Sequence, residues 1–416
     1  MRTYRDLFAV AEFRVLFAAR SLIVAAASVS GLALATLAYA ETGSPLLSAF
    51  VMFGGPLVRL AAAPLLLSLA DLWRPRTALA VGAGLNAVAL ALQAVPDLPL
   101  GLRLVLLVVP WVLLSAVAGA TPALVADILP AGAFVFGRAT LNIAVGVMQV
   151  AGYGAGGLLL VRVSTTELFL GAAVVETLVV LLVLRGIRDH PPRAQGTVVA
   201  RSRAVNRLLL GSSVLRPVYV ALWIPPGLVV GCESLLVPYG GAQAGFLFAA
   251  TAVGMLAGDV LMGRVVAPEN RERWLGPTRW LLAVPWVLFL FQPGIVTACA
   301  LAAVASVGYC SRLPLQERLV QRTATDVRGH ALGLENLGMM GMQGCGALIG
   351  GAVATVLGSD SRAAATTIAV LAVASLLITA ALTPGLGRSR TGKPQSVLSL
   401  DTSPATMSRT PRQLRP

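Results

Sequence analysis

The sequence predicts an all-α membrane protein of twelve transmembrane helices, arranged as two pseudo-symmetric six-helix halves. Three observations lead there: apolar blocks long enough to span a bilayer, a lopsided distribution of arginine between them, and an internal repeat. Composition sets the class first. Hydrophobic residues fill 57% of the 416 positions and charged residues 12%, with a mean hydropathy of +0.82. A soluble domain carries about 25% charged residues.

Crossing about 30 Å of hydrocarbon takes about 20 apolar residues. In the first half such blocks run over Val15–Ala40, Leu46–Ala70, Thr77–Val95, Leu104–Ile128, Ala139–Val161 and Leu168–Leu184. In the second they run over Val218–Pro238, Ala242–Met262, Leu275–Phe291, Ile295–Ser311, Ala331–Leu357 and Ala363–Leu382. Only the turn-forming Gln292-Pro293-Gly294 separates the ninth block from the tenth. The first block follows Arg2, Arg5 and Arg14 and ends in Ala38-Tyr39-Ala40, as a secretory signal would. It is too long for a signal core and long enough to span, so it reads as the first helix.

Orientation follows from charge. Of the 32 Arg and Lys, 27 lie in segments on the N-terminal side of the membrane, and only Arg103, Arg162 and Arg362 lie on the other. Cytoplasmic loops collect basic residues, so both termini are expected in the cytoplasm, with the protein in the plasma membrane. The net charge of +14 is therefore a property of loops and not a nucleic-acid footprint. The four cysteines (Cys232, Cys299, Cys310, Cys345) lie in apolar blocks without CxxC spacing and read as packing residues. Two histidines, His190 and His330, cannot build a multi-histidine metal centre, and the only lysine, Lys393, belongs to no Walker loop. No metal and no cofactor are expected.

The polar stretch Arg185–Arg216, with His190-Pro191-Pro192 and Gln195-Gly196, divides the chain near its middle. This gives an N-terminal half (1–186), a cytoplasmic linker (187–216), a C-terminal half (217–384) and a basic, Ser/Thr/Pro-rich tail (385–416) expected to be disordered and drawn to anionic lipid. The halves repeat. Gly137-Arg138-Ala139-Thr140-Leu141-Asn142 is matched by Gly329-His330-Ala331-Leu332-Gly333-Leu334-Glu335-Asn336, and a glycine-rich helix follows each. The fifth and eleventh helices are thus related by a shift of about 192 residues. Their glycine runs, Gly152–Gly157 and Gly344–Gly351, fit close helix packing. Pro225-Pro226-Gly227 is expected to interrupt the seventh helix, and Pro110 and Pro122 to bend the fourth.

The loop after the second helix reads Ser68-Leu69-Ala70-Asp71-Leu72-Trp73-Arg74-Pro75-Arg76, and the loop after the eighth contains Gly258-Asp259 and Gly263-Arg264. Asp127-Ile128-Leu129-Pro130 precedes the fifth helix, and Thr325-Asp326-Val327-Arg328-Gly329 precedes the eleventh. In order and spacing these motifs resemble the major facilitator superfamily, over nearly the whole chain to Pro384, and its drug and siderophore exporter branch in particular. Leu67 stands where that family usually has glycine, and Pro75 interrupts the basic cluster. The resemblance implies a secondary active transporter exporting a small hydrophobic or amphipathic compound, with the bilayer, that compound and protons as partners and a monomer as the working unit. A nutrient importer and a transport-inactive sensor or scaffold on the same fold remain as alternatives. A membrane enzyme is disfavoured, because no loop carries a catalytic constellation.

Candidate site residues fall into two groups. An aspartate at one helix end can face the positive N-terminus of another helix and pair with an arginine there. By two-fold logic Asp71 should meet Arg328, and Asp259 should meet Arg138, as gate contacts that break when the cytoplasmic side opens. Arg264 joins this group, and Arg74 and Arg76 read equally well as solvated loop charges. The second group lies within apolar spans, where a charge costs at least about 2.5–3.5 kcal/mol. A carboxylate in a low-dielectric cavity can carry a proton, which makes Glu233 and Glu176 candidates for coupling. Arg59 can hold an anionic substrate group or neutralise one of these acids. Arg20 is read first as snorkelling to the cytoplasmic surface, and Glu335 is read equally as structural or functional.

Overall fold

The computed structural model describes residues 4–70, 74–115, 120–130, 133–190, 207, 209–323 and 328–391. Among these, the chain crosses twelve times as helix, with a short lead-in helix, Tyr4–Ala9. Span 1 is Ala11–Thr42, and its end is fixed by Gly43 in the left-handed region (φ 61°), whose N–H caps Tyr39 O. Span 2 starts at a Ser44 cap as Pro45–Phe53 and resumes as Gly55–Ala70 after a 61° bend. Pro56, which has no N–H to return to the preceding turn, accounts for the break.

Span 3 is Pro75–Gln93, span 4 is Leu100–Ser115 continued by Ala120–Ile128, and span 5 is Phe134–Leu159. Arg103 ties the far ends of spans 3 and 4 together, its Nη1 donating to Gln93 O at 2.6 Å while Gln93 Nε2 donates to Arg103 O at 2.8 Å. Span 6, Thr165–Gly186, opens on a capping box. Glu167 N–H donates to Ser164 Oγ, and Ser164 N–H donates back to the Glu167 carboxylate at 2.9 Å.

Span 7 is Arg216–Glu233 with a further turn at Leu236–Gly240, and span 8 is Ala244–Val260 with a wide turn at Leu261–Val265. Gly241 reverses the chain between them in a conformation (φ 53°) that disfavours side chains. Span 9 covers Pro268–Leu281, Val284–Val287 and Leu288–Phe291, and the expected turn follows it with Gln292 left-handed. Span 10 is Ile295–Val307, a tighter turn Gly308–Ser311, and Arg312–Arg322. Spans 11 and 12 are Arg328–Leu357 and Ser361–Thr391.

Three expectations change. The seventh helix is not interrupted at Pro225-Pro226; it runs unbroken to Glu233 and breaks only at Ser234-Leu235. Packing holds it straight. Gly227 and Gly231 lie against the backbone of Gly346 and Gly350 in span 11, where a Cβ on Gly350 would stand 2.7 Å from Gly231 O. The tenth helix does not stop at Ser311 but continues to Arg322. The last helix runs through Pro384 to Thr391, so residues 385–391 of the expected tail are helical. The linker residues 191–206 and 208, and the tail beyond 391, lie outside the described residues.

The repeat is visible in the packing. Gly152 and Gly156 of span 5 lie on span 1, against Ser28 and Val29, as Gly346 and Gly350 of span 11 lie on span 7. Each of these helices then reaches into the other half. Gly157 meets Gly245 of span 8 backbone to backbone, and Gly351 meets Leu46 of span 2. In a bilayer, where burial from lipid gives little drive, such close approaches supply the dispersion energy of association.

Candidate functional site

At the end of the bundle that carries the arginine-rich loops, a cavity of about 420 Å³ opens between spans 1 to 5 and span 11. Its polar lining is Arg20, Arg59, Asn86, Ser115, Thr121 and Arg138, one or two residues from each of the first five spans. Leu337 and Met340 of span 11 form an apolar wall on the C-terminal half. Arg20, half-buried, is among the residues lining this cavity. It shares the cavity with Arg59, near enough for the two cations to repel each other. On span 6, beside Asn86 of span 3, Glu176 is only 2% exposed, and its Oε2 has no hydrogen-bond partner among the described residues.

The C-terminal half holds its charges differently, in pairs. Glu233, 6% exposed, accepts a hydrogen bond from Tyr309 Oη at 3.1 Å. Glu335, 1% exposed, accepts from Arg312 Nε and Nη2 at 3.1 and 3.2 Å and from Gln316 Nε2 at 3.0 Å. This is the two-pronged geometry at which arginine binds carboxylate most strongly. Trp223 Nε1 adds a 2.9 Å bond to Glu335 O. Arg312 is also the cation acting on Asp259. Trp223 of span 7 thus braces the backbone that carries Glu335, while Asp259 of span 8 lies within the field of Arg312.

Tyr309, Arg312 and Gln316 are the residues that reading the sequence missed. They recur at the helical spacing i, i+3, i+7 and so share one face of span 10. The signal was present, but the hydropathy of the tenth block ends at Ser311 and left Arg312 among the loop charges.

The gate candidates scatter. Asp71 lies outside the described residues, and of Arg328 the structure gives only its place at the start of span 11. Asp259 is influenced by Arg312 of its own half, whereas Arg138 lines the N-terminal cavity. Arg74 forms an ion pair with Asp189, and Arg76 donates to Leu184 O, so both fasten span 3 to the end of span 6. Arg264 does bridge the halves, donating from Nη2 to Tyr4 Oη with its guanidinium 5.7 Å from the ring centre.

The opposite end of the bundle is shut. Tyr39 Oη donates to Ser359 O at 2.6 Å, Leu46 N–H donates to Thr355 Oγ1 at 3.3 Å, and the Gly157–Gly245 contact leaves no room for a Cβ. The arginine-lined cavity and these tight contacts thus lie towards opposite ends of the bundle.

No family model and no curated protein matches this sequence. Solved structures do. A peptide-complexed transporter of the POT family superposes with a TM-score of 0.70 at 12% identity, covering 91% of this chain and 96% of that one. A bacterial homologue of the human lysosomal transporter Spinster, inward-facing and occupied, gives 0.65 at 13%, covering 90% and 96%. A D-xylose–proton symporter gives 0.62 at 15%, covering 90% and 97%. At such identities the likeness speaks for architecture, and cargoes as different as a peptide and D-xylose leave this chain's own cargo open. The chain shares the all-helical fold of these transporters over about nine-tenths of its length.

Proposed function

We propose that this protein is a secondary active transporter of the plasma membrane that works by alternating access and couples export of a small amphipathic compound to protons. The observation that carries the reading is an arginine-lined cavity in the N-terminal half, walled on one side by span 11 of the other half, with glycine contacts holding the opposite end of the bundle together. Two rigid halves joined by close but small contacts can rock about the site between them. Export rests on the motif resemblance around Asp71, Asp259 and Asp127, and the cytoplasmic placement of the cavity rests on the arginine distribution.

In this reading Glu233 and Glu176 carry protons. Glu335 holds Arg312 in place and exchanges it for solvent, or for Asp259, as the C-terminal half tilts. The Arg264–Tyr4 bridge and the loops around Asp71 and Arg328 act as the gate. The test is flux in proteoliposomes of purified protein under an imposed pH gradient, with a panel of dyes and siderophores. Accumulation driven by an acidic lumen in inside-out vesicles, lost in Glu233→Gln, is expected. Accumulation only from right-side-out vesicles makes the protein an importer, and the absence of gradient-linked flux for every compound overturns the transporter reading.

A further inference from the structure

The N-terminal cavity carries an unusual charge balance. Arg20, Arg59 and Arg138 all line it, and among the described lining residues none is acidic. Neither Arg20 nor Arg59 has an ion pair or hydrogen bond to another described residue, although they stand close enough to repel. Arg59 is exposed to the cavity and Arg20 half-buried; two such guanidiniums without a counterion between them repel, an incoming anion relieves that repulsion, and the fork of donors on each suits carboxylate and phosphate oxygens. Asn86, Ser115 and Thr121 add neutral polar groups on the same side. Facing them across the cavity, Leu337 and Met340 offer exposed apolar surface and no charge.

We infer that this cavity binds an amphipathic organic anion, its carboxylate or phosphate held by Arg20 and Arg59 and its apolar body against Leu337 and Met340. The inference names the cargo class of the site proposed above and rests on that reading for transport, but binding itself does not require it. The polarity of the cleft gives the ligand a direction. The head anchors to the N-terminal half and the body touches span 11 of the C-terminal half, so one molecule contacts both bodies that must move. The volume, about 420 Å³, falls within the range of small-molecule sites, about 300–1,000 Å³. Glu176, next to the cavity residue Asn86, lies where a bound anion would oppose its charge. Occupancy and protonation of that carboxyl would then be linked.

The experiment is equilibrium binding to the full-length purified protein, read as protection against thermal unfolding and as tryptophan quenching. The probes are 4-phenylbutyrate, its neutral amide, inorganic phosphate and phosphatidylglycerol in nanodiscs. The acid should protect, inorganic phosphate should compete weakly, and the amide should do neither. Losing one charge-assisted contact in Arg59→Gln or Arg20→Gln should weaken the acid about ten- to a hundredfold. Arg59→Lys should lie between, and serves as the folded control if the glutamine variants unfold. Equal binding of acid and amide, undiminished binding in Arg20→Gln/Arg59→Gln, or protection by phosphatidylglycerol alone overturns the inference. Binding with no flux in proteoliposomes would instead overturn transport and leave the anion site standing.

Discussion

Tyr309 donates its phenolic hydroxyl to the carboxylate of Glu233 at 3.1 Å, between the tenth and seventh spans of the C-terminal half. A carboxyl group this deep in an apolar bundle gains from such a partner, since burying a polar group without a hydrogen bond is costly. The bond joins two helices that both belong to the moving body.

Glu233→Gln keeps the hydrogen bond and removes the titratable group. It should abolish transport driven by a pH gradient while leaving substrate counterflow, which needs no net proton movement, within about twofold. Tyr309→Phe should leave the coupling but cost about 1 kcal/mol of stability. Parallel counterflow and gradient-driven assays on the two variants check this, and equal loss of both activities in Glu233→Gln contradicts it.

Arg312 and Glu335 should behave as a coupled pair. Arg312→Ala leaves the 1%-exposed Glu335 with only Gln316 for its carboxylate, a loss expected to lower the thermal midpoint markedly. Glu335→Gln should be milder, because Arg312 is 36% exposed and can turn to water. A double-mutant cycle on detergent-solubilised protein should return a coupling energy on the order of 1–3 kcal/mol, and additive effects would show that the two are independent.

The surface pair Arg74–Asp189 is the contrasting case. With side chains 57% and 37% exposed, it should contribute less than about 1 kcal/mol. Asp189→Ala should therefore leave both melting temperature and flux near wild type, and a large loss in either would mark this contact as a gate.

Glycine governs the closed end. A Cβ on Gly157 would lie 2.9 Å from Gly245 Cα, so Gly157→Val must push spans 5 and 8 apart. A cysteine at Thr355, in a background lacking the four native cysteines, should then react faster with an impermeant maleimide. An unchanged labelling rate means that the contact does not hold the closed state.

Much of this architecture can be read from residues alone, because bilayer thickness fixes helix length and small residues fix where helices touch. Gly152, Gly156 and Gly157 correspond one for one to Gly346, Gly350 and Gly351, and both sets sit at the contacts their spacing implies. Pairing is less legible. Two-fold logic directs Asp259 towards Arg138 as a contact of the closed cytoplasmic side; in this structure Arg312 of its own half also acts on Asp259, and nothing in the sequence pattern signals that neighbour. Likewise Pro225-Pro226 looked like a break, and only the backbone contacts of Gly227 and Gly231 explain why the helix continues. Nor could the sequence tell that Arg20 and Arg59, on different spans, would line one cavity.

Rocking of the two halves about their shared cleft is the central claim, and it can be measured without knowing the cargo. Spin labels at Arg162 and Arg362 report on the closed end, and labels at Arg185 and Glu269 report on the arginine-rich end; all four positions are exposed. Double electron–electron resonance on reconstituted protein between pH 5 and 9 should show two populations. The Arg162–Arg362 distance should lengthen in the population in which the Arg185–Glu269 distance shortens, and Glu233→Gln should shift their ratio. One fixed distance at both ends, at every pH and in the variant, would contradict alternating access.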